Sequence, residues 1–326
     1  MELKKIKNNS LSINIRKKRN HFNEKKIFEI YKSNKTLADY QFYLKKFLNF
    51  IYEGNENFEI DEIIPLMTSI ENKDVDDYIV HLFEDRNMKK SSVNKILSGL
   101  KSLYKELENY GYNNPFAKIK LFKVARNIDS VLKISYLDIK KIIGLYKVRN
   151  FSSFRNITIL YTLFYTGMRS NELLNLKFSH MLSHDGILYF KLVHTKSGVE
   201  QFKPIHKSLD QKLKEYKDVY KTLYKISDNE IENYYIFSSK AENNQQLSYN
   251  SLYDIIEKMG LLINKNISPH NIRHAVATEL SLNNADLLEI RDFLGHSNTK
   301  VTEIYIDAKN ILEKRVLNKL PSLDEE

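Results

Sequence analysis

Residues 268–280 read SPHNIRHAVATEL, and their reading decides how the second half of the chain folds. A serine followed by a proline is a helix start: Ser268 suits the N-cap, and Pro269 suits the first helical position, where its missing N–H costs nothing. That start puts His270 and Arg273 in the first turns on nearly one face. A helix N-terminus with an arginine and a histidine is an anion site. Zinc is the competing ligand, since His270 and His274 stand four apart, as do His180 and His184. The zinc-protease pattern needs a glutamate beside its first histidine, absent here, and Arg273 would set a positive charge against a dication. His274 taken alone reads as a histidine satisfied in a core.

Downstream of this stretch, Leu280, Leu287, Leu288, Ile290, Phe293 and Leu294 continue a helical pattern that Gly295 ends. Then LGHSNTKVTEIYID brings His296 and, nine residues on, Tyr305, and AKNILEKRVLNKL has the pattern of a last amphipathic helix. Upstream, a helix near Ile157 to Tyr165 stops at Gly167 in TGMRSNELLNL, which sets Arg169 on a turn before Glu172 to Leu176 restart a helix. There the planar fork of Arg169 can grip phosphate oxygens in pairs. Between them, GILYFKLVHTKSGVEQFKPI alternates apolar and polar residues around Ser197 and Gly198, a β-hairpin with Lys196 at its tip.

The first half is patterned differently. Residues 1–34 are basic and weakly periodic, with IRKKRN at 15–20, and read as an arm. Leu37, Tyr40, Leu44, Phe47, Leu48 and Ile51 fall on one helical face, and a second helix is expected around Val75 to Phe83. A third, with Ser91 or Ser92 as N-cap and Gly111 at its close, is apolar at Val93, Ile96, Leu97, Leu100, Leu103, Tyr104 and Leu107. Its other face carries Lys95, Ser98, Ser102 and Lys105, either a solvated surface or one that meets phosphates. IKLFKVARNIDSV, residues 119–131, has no clear period and reads as a linker. The domain boundaries expected are therefore an arm at 1–34, a helical domain at 35–120, a linker at 121–131 and a second domain with a C-terminal tail at 132–326.

Composition narrows the class of partner. Over 326 residues, 51 Lys and Arg against 41 Asp and Glu leave a net charge of +10, which favours a polyanion: nucleic acid or an acidic membrane. No apolar run approaches the roughly 18 residues of a membrane span, and the N-terminus lacks the apolar middle of a signal peptide, so the chain reads as cytoplasmic. The absence of cysteine excludes disulfides, cysteine zinc sites, iron-sulfur clusters and thiol catalysis.

An arginine at a turn, a lysine on a hairpin and a tyrosine at apolar spacing are each commonplace. Together, Arg169, Lys196, HNIRH, LGHSN and Tyr305, in this order and at these intervals, resemble the tyrosine recombinase family, the phage integrase type that includes the Xer recombinases. The resemblance spans about residues 36–310, since the helical first half looks like the family's core-binding domain. It implies a mainly α fold, with a SAM-like helical N-terminal core-binding domain and an α-rich catalytic domain containing a small antiparallel β-sheet. It also implies an enzyme that breaks a DNA phosphodiester by attack of Tyr305, leaving a 3′-phosphotyrosyl link and a free 5′-hydroxyl. Arg169 and Arg273 would then carry the charge of the transition state, His270 would orient the phosphate and act as acid or base, His296 would donate to a nonbridging oxygen, and Lys196 would protonate the leaving oxygen. Glu172 and His274 would support them, with no metal and no cofactor. Lys95, Ser98, Ser102 and Lys105 would meet DNA.

The family resemblance further implies a tetramer on two DNA duplexes, of one chain or with a second recombinase, with the segment after Tyr305 docking on a neighbour. An Xer-type role, in chromosome partition at cell division or in DNA inversion, is favoured over integration of a mobile element. A DNA-binding architectural protein without catalysis, or a zinc hydrolase, would be the reading from another class. Salt dependence of DNA binding does not separate the two DNA readings, because phosphate contacts dominate both.

Overall fold

The computed structural model describes residues 34–52, 60–124, 133–192, 200–240, 242 and 244–295. The basic arm up to residue 33, much of the expected linker, Lys196 with its hairpin tip, His296, Tyr305 and the expected C-terminal helix lie outside the described residues. The chain divides into two compact units, Met1–Ala125 and Arg126–Glu326.

The first unit is helical: α1 (Asn34–Ile51), α2 (Ile60–Thr68), α3 (Asn72–Glu84) and α4 (Lys90–Asn109). Apolar residues at three- and four-residue spacing put Leu44, Phe47 and Leu48 of α1 inward with Val75, Tyr78 and Leu82 of α3 and Leu97, Leu100, Leu103 and Leu107 of α4. Phe116, after α4, completes this core, with ring centroids 5.4 Å from Phe47 and 4.9 Å from Tyr104. Where α4 crosses α1, Gly99 is required, since a Cβ there would lie 2.8 Å from Cδ2 of Tyr43.

The start of α4 corrects the sequence reading. The helix is capped by neither Ser91 nor Ser92 but begins after Lys89, whose side chain makes no capping bond. Asn87, at φ 48°, turns the chain tightly out of α3, so the Lys89 carbonyl already accepts from the N–H groups of Ser92 and Val93 at 2.9 and 3.1 Å. Asn94 of α4 brackets Phe122, which lies beyond the helix, donating to its carbonyl and accepting from its N–H, both at 2.8 Å, so the front of the expected linker is fastened to this unit.

The second unit begins with α5 (Tyr136–Leu145), α6 (Phe151–Thr166) and α7 (Ser170–Leu174). A three-stranded antiparallel sheet follows, ordered β1 (Met181–His184), β2 (Ile187–Leu192) and β3 (Gln201–Pro204). Next come α8 (Lys207–Tyr224), the single turn α9 (Asp228–Ile231) and a small pair, β4 (Ser238–Lys240) with β5 (Gln245–Gln246). The unit continues through α10 (Tyr249–Leu261), α11 (Pro269–Leu282) and α12 (Leu287–Leu294). The sequence reading had one hairpin where the structure has a third strand and a second small sheet. β1 is mostly exposed and shows no alternation, so it left only the Asp185-Gly186 pair as a signal. Both of those residues have positive φ, 49° and 76°, as a two-residue hairpin turn demands.

Helix α6 runs through the middle of this unit and packs against α8 and α11. It is buried on several sides, including at Thr158, Thr162 and Thr166. Each threonine hydroxyl donates to the carbonyl four residues back, at 2.8, 2.9 and 2.6 Å, which satisfies it without a partner from outside the helix. Among the described residues no helix is long and apolar enough to cross a membrane.

Candidate active site

Three helix ends meet at one place in the second unit. Helix α6 stops at Gly167, which takes the left-handed conformation at φ 55°. A Cβ there would lie 2.7 Å from Cδ2 of Leu294, so the glycine serves both the turn and the close approach of α12. Two residues on, Arg169 caps α7. Its N–H and its Nη1 both donate to the carboxylate of Glu172, at 2.7 and 2.8 Å. Glu172 is buried beneath it, so the arginine is gripped from below while its side chain keeps 32% of its surface open.

Helix α11 begins as its sequence dictates. Ser268 Oγ accepts from the Asn271 N–H at 3.4 Å, and the Asn271 side chain accepts in return from the Ser268 N–H at 2.9 Å. Arg273 follows one turn in and is buried, at 3% exposure. Its Nη1 donates to the Gly167 carbonyl at 2.6 Å and its Nη2 to the Leu294 carbonyl at 2.9 Å.

The third end belongs to α12, capped at its start by Asp286 and closed by Gly295 at φ 70°. The last carbonyls of a helix have no partner inside it and carry partial negative charge. Here three consecutive ones are taken by cations. Phe293 O accepts from Lys203 Nζ, Leu294 O from Arg273 Nη2, and Gly295 O from Arg169 Nη2 at 2.7 Å.

This concentration of positive charge shifts its neighbours. Burial, then Arg273 and Arg169 against the opposing pull of Glu172, brings the Lys203 pKa down to about 7. His270 lies exposed on the first turn of α11, yet the surrounding protein and the two guanidiniums hold its pKa below the ordinary value. His274 packs edge-on against it, ring centroids 4.2 Å apart. Burial, His270 and Arg273 push the His274 pKa down to about 4.

The neutral imidazole of His274 ties stability to pH. Its folded pKa lies below the unfolded value of about 6.5, so the unfolded chain binds the proton first. Stability from this group is complete above pH ~6.5 and is lost as pH falls to about 4. After allowance for its partial exposure the loss is on the order of 2 kcal/mol. Urea unfolding of wild type and His274→Gln at pH 7 and pH 4.5 checks this: the difference between the two proteins should shrink or reverse at the lower pH. An unchanged difference would contradict it.

Of the residues singled out in the sequence, Arg169, Glu172, His270, Arg273 and His274 are brought together. Lys196, His296 and Tyr305 lie outside the described residues, in segments that border β2, β3 and α12 in sequence. Lys95, Ser98, Ser102 and Lys105 are in the first unit, where Lys95, Ser98 and Lys105 are exposed and Ser102 is half-buried. There Lys95 lies 3.7 Å from Asp39 and over the Tyr43 ring, beside a concavity between α1 and α4. Among the described residues no cluster of three His, Asp or Glu gathers as a metal site would require. A cavity of about 850 Å³ in the second unit, lined by Arg155, Asp254 and Lys258 among others, lies apart from the convergent arginines. Sequence reasoning missed Lys203. Its signal was a charge at an inward position of the strand QFKPI, opposite the buried Phe190.

Two guanidiniums, an imidazole and a helix N-terminus converge, while the nearby Glu172 is occupied by Arg169. That arrangement suits a tetrahedral oxyanion whose charge grows during a reaction.

Comparisons with known proteins agree with this chemistry. The sequence profile described as "Phage integrase family" matches residues 136–310, and "Phage integrase, N-terminal SAM-like domain" matches residues 19–113, beginning inside the segment read as an arm. A protein named tyrosine recombinase from Agathobacter rectalis is 31% identical over 252 residues, 72% of this chain and 78% of that one. Tyrosine recombinase XerD from Staphylococcus epidermidis is 27% identical over 281 residues, 84% of this chain and 88% of that one. In fold, the chain is similar to the XerH recombinase bound to a palindromic difH substrate (TM-score 0.63, 16% identity, 91% of this chain and 93% of that one). It is similar also to a lambda integrase dimer bound to a core site (TM-score 0.62, 15% identity, 98% and 85%).

Proposed function

Because the chain belongs to the phage integrase family of tyrosine recombinases, which cut and rejoin DNA, we propose that it is a site-specific recombinase of the Xer type. In this reading the phenol oxygen of Tyr305 attacks a phosphodiester of duplex DNA. A Tyr305 oxygen to phosphorus bond forms at the 3′ side, and the bond from phosphorus to the 5′ oxygen breaks. His270 takes the phenol proton, Lys196 gives one to the departing 5′ oxygen, and His296 donates to a nonbridging oxygen. Arg169 and Arg273 stabilise the equatorial oxygens. Glu172 holds Arg169 in place, and His274 braces His270. A 5′-hydroxyl from a second duplex reverses the step and rejoins strands, so no cofactor is consumed.

The observation that carries the reading is the junction at the end of α12. Arg169 and Arg273 bond to the carbonyls of adjacent residues, Gly295 and Leu294, and the sequence reaches His296 and Tyr305 within the next ten positions. The exposed stripe of Lys95, Ser98 and Lys105 with Ser102, a lysine interleaved with the tyrosines of α1, suits phosphate and groove contacts. The active form is a tetramer on two duplexes, of one chain or with a second recombinase, acting in the cytoplasm.

The test is capture in the host. Wild-type protein is denatured in place, and the DNA that stays attached to it is sequenced from its protein-bound 3′ ends. One chromosomal site fits dimer resolution at cell division, and inverted repeats fit DNA inversion. Ends of a mobile element would replace the Xer role with that of an integrase. Tight DNA binding with no attached DNA would leave an architectural protein instead.

A further inference from the structure

Lys203 has no part in the reaction just described, yet its position is unusual. A lysine 1% exposed on a short strand is rarely tolerated unless its charge is engaged. Its Nζ donates to Phe293 O and lies 5.0 Å from the centroid of the Phe293 ring, so backbone and ring of one α12 residue hold it. The charged groups that face it are Arg273 from α11, Arg169 from the α6–α7 turn and Glu172 from α7. Two of the three repel it, so packing alone would favour an apolar residue here. The backbone of β3 pairs with β2, Lys203 opposite Phe190, and these two strands bracket Lys196 in sequence.

We propose that Lys203 is a positioning residue for strand cleavage: its ammonium ties β3, the strand that follows Lys196 in sequence, to the end of α12, after which the sequence runs on to His296 and Tyr305. The inference rests on the recombinase reading above. Lys196 and Tyr305 serve the two oxygens in line with phosphorus, the leaving one and the attacking one, and they stand 109 positions apart in the sequence. Misplacing either by about 1 Å costs on the order of 10²-fold in rate. Arg169 and Arg273 hold the neighbouring carbonyls of α12 from the α6–α7 turn and from α11. Lys203 holds the first of the three carbonyls from β3. A phosphate seated on the two arginines offsets their repulsion and favours the charged form of the lysine, so the tie tightens when DNA is bound.

The experiment uses the full chain and a duplex built from the captured site, nicked beside the cleavage point so that cleaved product accumulates. Single-turnover cleavage at saturating DNA should fall about 10- to 100-fold in Lys203→Met, with DNA affinity within about threefold of wild type. The melting temperature of that variant should match or exceed that of wild type, since an apolar side chain replaces a repelled charge. Lys203→Arg, which stays charged, should recover much of the rate. It should also lack the descending step in the pH profile that wild type shows as Lys203 loses its proton.

Wild-type cleavage rate and pH profile in Lys203→Met would overturn the proposal while leaving the recombinase reading intact. So would a melting temperature well below wild type, which would make the lysine a structural residue. Failure of the recombinase reading shows separately, as wild-type protein that attaches to no DNA.

Discussion

Tyr305→Phe is expected to abolish covalent attachment to DNA, a loss on the order of 10⁴-fold or more, the scale on which removal of a nucleophile acts. The substitution deletes one oxygen and keeps the ring, so DNA affinity should stay within about twofold of wild type. An unperturbed tyrosine has a pKa of about 10, and at neutral pH almost none is ionised. The reaction therefore depends on a base to take the proton and on the two arginines to make the phosphorus electrophilic. Each multiplies the rate only if the phenol is there. The measurement is denaturing electrophoresis of protein incubated with the captured duplex, wild type beside variant. A shifted band of equal intensity in both would place the attacking group elsewhere in the chain.

Arg273→Ala carries the second largest expected effect: cleavage reduced about 10²- to 10³-fold, as when one preorganised donor to a developing oxyanion is removed. Two consequences combine. The phosphate loses a buried cation, and the carbonyls of Gly167 and Leu294 lose the donors that hold the end of α6 to the end of α12. Leaving such carbonyls unmet costs about 1–3 kcal/mol, so the variant should also melt earlier. Arg273→Lys separates the two. A lysine keeps the charge but lacks the planar fork that spans two carbonyls, so its cleavage should fall between alanine and wild type. Quench-flow cleavage and thermal melts of the three proteins check this. Cleavage by Arg273→Ala within about tenfold of wild type would remove the arginine from the reaction.

The sequence makes the helical framework plain because its signals are local. Ser268 and Pro269 start α11, Gly167 and Gly295 stop α6 and α12, and Asn284 takes the left-handed turn at φ 68° that its side chain tolerates. Signals that depend on burial on one face fail where the element is short or exposed. That is why β1 and the three- and two-residue strands β4 and β5 went unseen, and why a tight turn at Asn87 displaced the start of α4. The side chains of the site stand out in the sequence because their order resembles a family's. Their anchoring does not. Arg273 is held by a carbonyl 106 residues away and Lys203 by one 90 residues away, and a backbone oxygen leaves no mark in a sequence.

That anchoring shapes how the protein tolerates genetic variation. The acceptors for Lys203, Arg273 and Arg169 are the peptide oxygens of Phe293, Leu294 and Gly295, and every residue type brings a peptide oxygen with it. Drift in the side chains at 293 and 294 can alter packing but cannot delete an acceptor. The glycine is constrained by its own type, since it holds a positive φ of 70° that a residue with a Cβ rarely adopts. At this junction, inactivating changes from random mutagenesis should therefore concentrate on the cations and on Gly167 and Gly295, while Leu294 accepts other apolar side chains of similar volume and Phe293 another aromatic ring.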